Sequence, residues 1–269
     1  MTVDITCDTL RGKCPVVLYA HGFNGFKDWG NFNLIAQQFA AAGFTFVKFN
    51  FSHNGTTPEH QQDFTDLEAF GENNYSKELY DLEKMIDWIT DADNPLAAYI
   101  DADKIGLIGH SMGGGISIIK TAEDKRVKAL VTWAAISECK TPWTHWPGEK
   151  LQVWKSDGVA YYPNGRTKQQ MPMYYQLYED FQNNSNRLDI LKAAGSIKVP
   201  FLICHGTGDT SVTVESAYRL QQANPDADLL LLDSDHVFGR KHPWTEDKLP
   251  DAMQTVVDKN IGFFKTALQ

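Results

Sequence analysis

The pentapeptide Gly109-His110-Ser111-Met112-Gly113 lies between a short apolar run (Ile105, Leu107, Ile108) and a glycine-rich stretch from Gly114 to Thr121 that can continue as a helix. It fits Gly-x-Ser-x-Gly. A serine at a sharp strand-to-helix turn is forced into strained backbone angles that push its hydroxyl out above a sheet. A side chain two residues to either side would collide with the neighbouring strand or helix, hence glycine at 109 and 113. The spacing therefore predicts Ser111 as a nucleophile on an elbow, with the N–H of Met112 at the helix start able to face a developing oxyanion. The plainer alternative is a turn with an N-capping serine.

The rest of the chain reads as strand–helix alternation around this stretch. Val3–Leu10 reads as a short antiparallel strand ending at the turn Arg11-Gly12-Lys13. Pro15–Ala20 and Phe44–Phe51 are continuous apolar runs, which suits strands buried on both faces of a parallel sheet. Between them Phe32, Ile35, Phe39 and Ala42 recur at helical spacing until Gly43. Ser52–Asn74 is a polar, turn-rich loop. Leu79, Leu82, Ile86 and Ile89 mark an amphipathic helix with Ser76 as its candidate cap. Val127–Ile136, Val199–Cys204 and Ala227–Leu232 read as further strands. Asp189–Ala194, Val212–Ala223 and Ala252–Leu268 read as helices. The expected fold class is α/β, a mostly parallel sheet with helices on both faces.

The rhythm breaks from 137 to 185, where no clean βα unit is found. That stretch holds nine aromatics between Trp143 and Phe181, about twice the density of the whole chain. A long insertion without βα pattern is usually functional. The expected organisation is a core formed by 1–136 and 186–269 with an inserted lid at 137–185. Trp143, Trp146, Trp154, Tyr174 and Tyr175 are the candidates for binding substrate; the alternative is that these aromatics serve to pack the lobe itself.

Composition excludes several function classes. Net charge is −9 and no Lys/Arg-rich run occurs, which argues against a nucleic-acid partner. No apolar stretch reaches about 18 residues, so no membrane span is expected. Met1-Thr2-Val3-Asp4 has neither a basic region nor an apolar core, so no signal peptide is expected. The four cysteines, at 7, 14, 139 and 204, form no Cys-x-x-Cys pair and no zinc-ligand spacing. They point to a reducing, cytoplasmic compartment, with a Cys7–Cys14 bridge across a hairpin left open. Cys139 and Cys204 read as small packed hydrophobes. No dinucleotide fingerprint is present, because Gly113–Gly115 lacks the Gly-x-Gly-x-x-Gly order. No cofactor and no metal are expected, and the sequence leaves the oligomeric state unknown.

A serine hydroxyl needs a base to take its proton, and the base needs an orienting acid. In a sheet of this kind both should lie on loops at the carboxyl ends of strands. Val199–Cys204 leads into His205-Gly206-Thr207-Gly208-Asp209, and Ala227–Leu232 into Asp233-Ser234-Asp235-His236. Ser111, Asp209 and His236 are thus the candidate catalytic residues. Asp209 could instead cap the helix near Val212, and Glu138 and Asp233 are rival acids. Asp235 reads as structural, since it cannot easily turn back onto its neighbour's ring. His21, His110 and His205 read as loop-holding histidines, and His53, His60, His145 and His242 as ordinary loop residues.

Over nearly its whole length the chain resembles the α/β-hydrolase superfamily. The resemblance rests on His21-Gly22-Phe23, Gly109-His110-Ser111-Met112-Gly113-Gly114, His205-Gly206-Thr207-Gly208-Asp209 and Asp235-His236, in the order Ser, Asp, His. Within it the chain is similar to dienelactone-hydrolase-like serine esterases and to bacterial cinnamoyl/feruloyl esterases, which also carry a lobe in the place of 137–185. The resemblance implies an oxyanion hole from the backbone N–H groups of Phe23 and Met112. It also implies a carboxylesterase acting on a small ester, including aryl or cinnamoyl esters. A thioesterase or amidase would use the same groups. A non-catalytic ligand-binding protein of the same fold is the other class.

Overall fold

A computed structural model describes residues 1–268. In chain order the elements are β1 (Val3–Thr6), β2 (Cys14–Ala20), α1 (Phe32–Ala41), β3 (Thr45–Phe49), α2 (Leu67–Gly71), α3 (Tyr75–Thr90), β4 (Ile100–His110), α4 (Met112–Glu123) and β5 (Val127–Trp133). Then follow α5 (Gly148–Asp157), β6 (Val159–Pro163), β7 (Gln170–Tyr174), α6 (Gln176–Asn183), α7 (Ile190–Ser196), β8 (Phe201–Gly206), α8 (Glu215–Ala223), β9 (Asp228–Leu232) and α9 (Asp251–Ala267).

Seven strands form one sheet in the order β1-β3-β2-β4-β5-β8-β9. Only β1 is antiparallel to its neighbour. The sheet separates two apolar cores. Along β2 the side chains alternate: Val16, Leu18 and Ala20 pack with α3, α4, α7 and α8, whereas Val17 and Tyr19 pack with α1 and α9. The period of two in a strand sends successive residues to opposite faces, so a strand covered on both faces must be apolar throughout. The continuous run at 15–20 has this cause.

Several local boundaries differ from the sequence reading. The side chain that caps α3 is Asn74, which accepts from the amide of Lys77 at 2.9 Å, not Ser76. The first helical turn thus starts at Tyr75, whose ring is fully buried. The strand expected to reach Ile136 ends at Trp133, because the Ala134 backbone turns to φ +48°. Cys7 and Cys14 are free thiols, as are Cys139 and Cys204, and all but Cys7 are buried.

Residues 137–185 are not structureless. They hold α5, the antiparallel hairpin β6–β7 and α6, and the hairpin is a second sheet separate from the first. Two five-residue strands paired antiparallel in a hairpin give no βα signature. Among the described residues no helix is long and apolar enough to cross a membrane.

Candidate active site

Ser111 lies between β4 and α4 at φ +56° and ψ −119°. That conformation costs a non-glycine residue on the order of 1–3 kcal/mol and persists only where the surroundings over-determine it. Here they do. The Ser111 amide donates to the Trp133 carbonyl at 2.8 Å, and its own carbonyl accepts from Gly114 at 3.0 Å. A Cβ on Gly113 would press into the backbone carbonyls of Ala20 and His21, and one on Gly109 would come within 2.7 Å of Gly114 Cα. Both glycines of the motif are therefore set by close backbone approach.

The loop after β2 closes over the elbow. A Cβ on Gly22 would stand 2.8 Å from Cβ of Ser111. The amides of Phe23 and Met112 donate to no protein acceptor among the described residues. His21 Nδ1–H donates to the Gly22 carbonyl at 3.0 Å, and its Nε2 accepts from the Phe51 amide at 3.4 Å. Burial pulls this imidazole down to about 4, so it is neutral near pH 7 and holds the loop. Further along, buried Lys27 and Lys48 pair with Asp4 and Asp28 and tie the loop to β1 and β3.

At the carboxyl ends of β8 and β9, Asp209 and His236 meet. His236 Nδ1–H donates to Asp209 Oδ2 at 2.7 Å. The other carboxylate oxygen, Oδ1, accepts from the amides of Ser211 at 2.8 Å and Val212 at 2.9 Å. The capping reading and the acid reading of Asp209 are thus compatible, one per oxygen. Burial alone would raise the carboxyl, but the N–H groups of His205, His236 and Val212 outweigh it and hold the group well below the usual carboxylate range. Glu138 is instead taken up by Arg219 at 2.6 Å and Lys140 at 2.9 Å. Asp233 makes no hydrogen bond to His236 among the described residues. Asp235 accepts from the amides of Val237 and Gly239, as a structural turn residue does.

His110 Nε2–H donates to the backbone carbonyl of His236 at 3.0 Å, and burial together with His236 and Arg240 holds its ring well below the ordinary imidazole value. His205 Nε2–H donates to the Val212 carbonyl at 2.8 Å. His242, read from sequence as an ordinary loop residue, accepts from the Gly30 amide at 2.9 Å and so joins two loops.

Ser111 and His236 line one cavity of about 190 Å³, with Phe23, Trp29, Phe32 and Arg240 on its walls. Ser111 Oγ makes no hydrogen bond to His236 among the described residues, a contact that in ligand-free sites often tightens only when substrate binds. The cavity wall holds a residue that the sequence reading missed. Arg240 is buried, its Nε donates to the Val237 carbonyl at 2.8 Å, and its guanidinium lies 4.7 Å from the Phe32 ring centre. Its two terminal nitrogens reach no protein acceptor among the described residues. Its one sequence signal was its position four residues after His236.

The five aromatic candidates do not line this cavity. Trp143, Trp146, Trp154 and Tyr175 pack in a chain of tilted, edge-on and stacked contacts with Tyr178 and Phe181. Trp154 donates its indole N–H to the Met173 carbonyl at 2.7 Å. Tyr174 lies against Gly71 and donates its hydroxyl to Glu68 at 2.6 Å. A segment of this size has to bury apolar surface of its own, and large rings do so with few residues. The ring from 137–185 that does approach the elbow loop is Tyr162 on β6, 5.4 Å edge-on from Phe23.

The family model for the alpha/beta hydrolase fold matches residues 15–169, a stretch that contains Phe23 and Ser111 and stops before Asp209 and His236. The chain belongs to the α/β-hydrolase fold family. An uncharacterized 31.7 kDa Escherichia coli protein from the traX-finO intergenic region is 29% identical over 126 residues, which is 47% of this chain and 39% of that protein. The match thus spans well under half of the curated relative's length. Among solved structures, this α/β-hydrolase-fold chain is similar to Est1E of Butyrivibrio proteoclasticus with bound ferulic acid (14% identity, 99% and 94% of the two chains, TM-score 0.68). It is also similar to the monoacylglycerol lipase of Paleococcus ferrophilus (15%, 99% and 98%, TM-score 0.67) and to an esterase domain from Rhodothermus marinus (18%, 99% and 92%, TM-score 0.61). At these identities the likeness is one of fold.

Proposed function

We propose that this α/β hydrolase cleaves carboxylic esters by a serine mechanism. The observation that carries the reading is the strained elbow at Ser111 sharing one cavity with His236, whose far nitrogen is bound to Asp209. In this reading Ser111 Oγ attacks the acyl carbonyl while His236 Nε2 takes its proton. The oxyanion is held by the amides of Phe23 and Met112. His236 then returns the proton to the departing alcohol, leaving an acyl group on Ser111. Water, deprotonated by the same imidazole, releases the acid. Asp209 keeps His236 in the tautomer that presents a bare Nε2.

The acyl group sits among Phe23, Trp29 and Phe32, which favours apolar and aryl acyl groups over acetyl. The ferulic acid bound in Est1E is consistent with that preference. Residues 137–185 form a cap over the β2 loop, where Tyr162 meets Phe23 and Asn164 donates to Asn24 at 3.1 Å. The test is hydrolysis of p-nitrophenyl butyrate, p-nitrophenyl acetate and methyl ferulate by the wild type and Ser111→Ala. The reading expects turnover of at least one ester and its loss in the variant; equal turnover by both proteins would overturn it.

A further inference from the structure

Asp209 faces a second imidazole that the steps above do not use. His205, the fifth residue of β8, has a fully buried side chain. Its Nε2 is 2.8 Å from the Val212 carbonyl oxygen, which fixes the proton on that nitrogen. The same nitrogen lies 3.4 Å from Asp209 Oδ2, the oxygen that accepts from His236. At that distance the contact is electrostatic rather than a second full hydrogen bond. The other ring nitrogen, Nδ1, is buried without a partner among the described residues. Leaving a polar atom buried and unpaired is costly, and an apolar ring could fill the same volume without that cost.

We infer that His205 is a positioning residue: its Nε2–H, anchored on the Val212 carbonyl, orients Asp209 Oδ2 toward His236 and disperses part of that oxygen's charge. The inference rests on the serine-hydrolase reading for its effect on rate, but not for its effect on the Asp209–His236 hydrogen bond. Geometry supports the role from both sides of the carboxylate. Oδ1 is pinned by the amides of Ser211 and Val212, and the Val212 carbonyl holds His205. One short loop therefore sets the acid, its two amide donors and the imidazole beside it. Without the Nε2–H, Oδ2 becomes a stronger acceptor for His236 and is freer to rotate.

Two variants separate this role from packing. His205→Phe keeps ring volume and removes the N–H; His205→Gln places an amide donor near the Nε2 position. The expected result is a kcat about tenfold lower in His205→Phe with KM within about twofold, and recovery of most of that loss in His205→Gln, since one N–H beside the acid is removed and then restored. The acid limb of kcat/KM should move to higher pH in His205→Phe, because a less dispersed carboxylate charge holds the imidazolium proton more tightly. Proton NMR of the His236 Nδ1–H reads the same bond without turnover. It should move downfield in His205→Phe and return in His205→Gln. If both variants give the wild-type resonance, or shift it equally, the inference is wrong. If the resonance responds as expected while no ester is turned over, the positioning role stands and the ester-hydrolase reading fails.

Discussion

Asp209 Oδ2 accepts the Nδ1–H of His236 at 2.7 Å across the ends of two adjacent parallel strands. The pairing register brings Gly206 opposite Leu232, so the loops that leave β8 and β9 start side by side. That relationship turns two residues far apart in sequence into one hydrogen-bonded unit beside Ser111.

Asp209→Asn should keep the fold and lose about 10⁴ in kcat, because an amide in this place favours the wrong imidazole tautomer. Glu138→Gln should leave kcat within about threefold, since Glu138 is committed to Arg219 and Lys140 and its surface pairs are worth little. Steady-state kinetics on p-nitrophenyl butyrate checks both. A large loss in Glu138→Gln with none in Asp209→Asn would reverse the assignment of the acid.

Gly113→Ala should damage fold and activity together. The added Cβ meets the backbone carbonyls of Ala20 and His21, which cannot step aside as a side chain would. Overpacking of this kind costs about 1–3 kcal/mol. Thermal unfolding should show a clearly lower Tm; a wild-type Tm would mean that the elbow does not pack as described.

Of the two sequence readings of the aromatics of 137–185, the one in which they pack the lobe itself carries a prediction of its own. Trp154→Ala removes a buried ring and the hydrogen bond to Met173, so it should cost about 3–5 kcal/mol of stability. Activity of the folded fraction toward methyl ferulate and p-nitrophenyl acetate should fall in the same proportion. A selective loss of methyl ferulate hydrolysis in a fully folded variant would restore Trp154 to the substrate site.

Much of the candidate site was legible because it is written in short motifs at strand ends. Gly109 and Gly113 bracket Ser111 for reasons of backbone contact, and Asp209 and His236 follow apolar runs that read as strands. The direction in which the aromatics of 137–185 point was not legible, since that depends on how α5, α6 and the hairpin pack together. Arg240 escaped notice because an arginine in a polar loop gives no sign of being buried. Asn74 and Ser76 both suit a cap, and what decides between them is the burial of Tyr75 in the first turn of α3.

Glu78 makes stability depend on pH. It is buried on α3, and burial, opposed by the Asn73 hydrogen bond and reinforced by Asp81, pushes its carboxyl up to about 8. The folded state then holds a proton that the unfolded chain has lost between the unfolded value of 4.5 and about 8, so stability falls as pH rises through that window. Glu78→Gln removes the titration. Its Tm relative to the wild type should therefore be higher at about pH 9 than at about pH 5, as followed by circular dichroism. A difference independent of pH would show that Glu78 ionises normally.

The central claim, that Ser111 is an activated nucleophile, is tested most directly by covalent labelling. The protein is treated with a fluorophosphonate, which phosphonylates activated serines, then digested and mapped by mass spectrometry. The account predicts a single adduct on the peptide containing Ser111, formed quickly in the wild type, slowly in Asp209→Asn and not at all in Ser111→Ala. Absence of an adduct in the wild type, or an adduct that persists in Ser111→Ala, would contradict it.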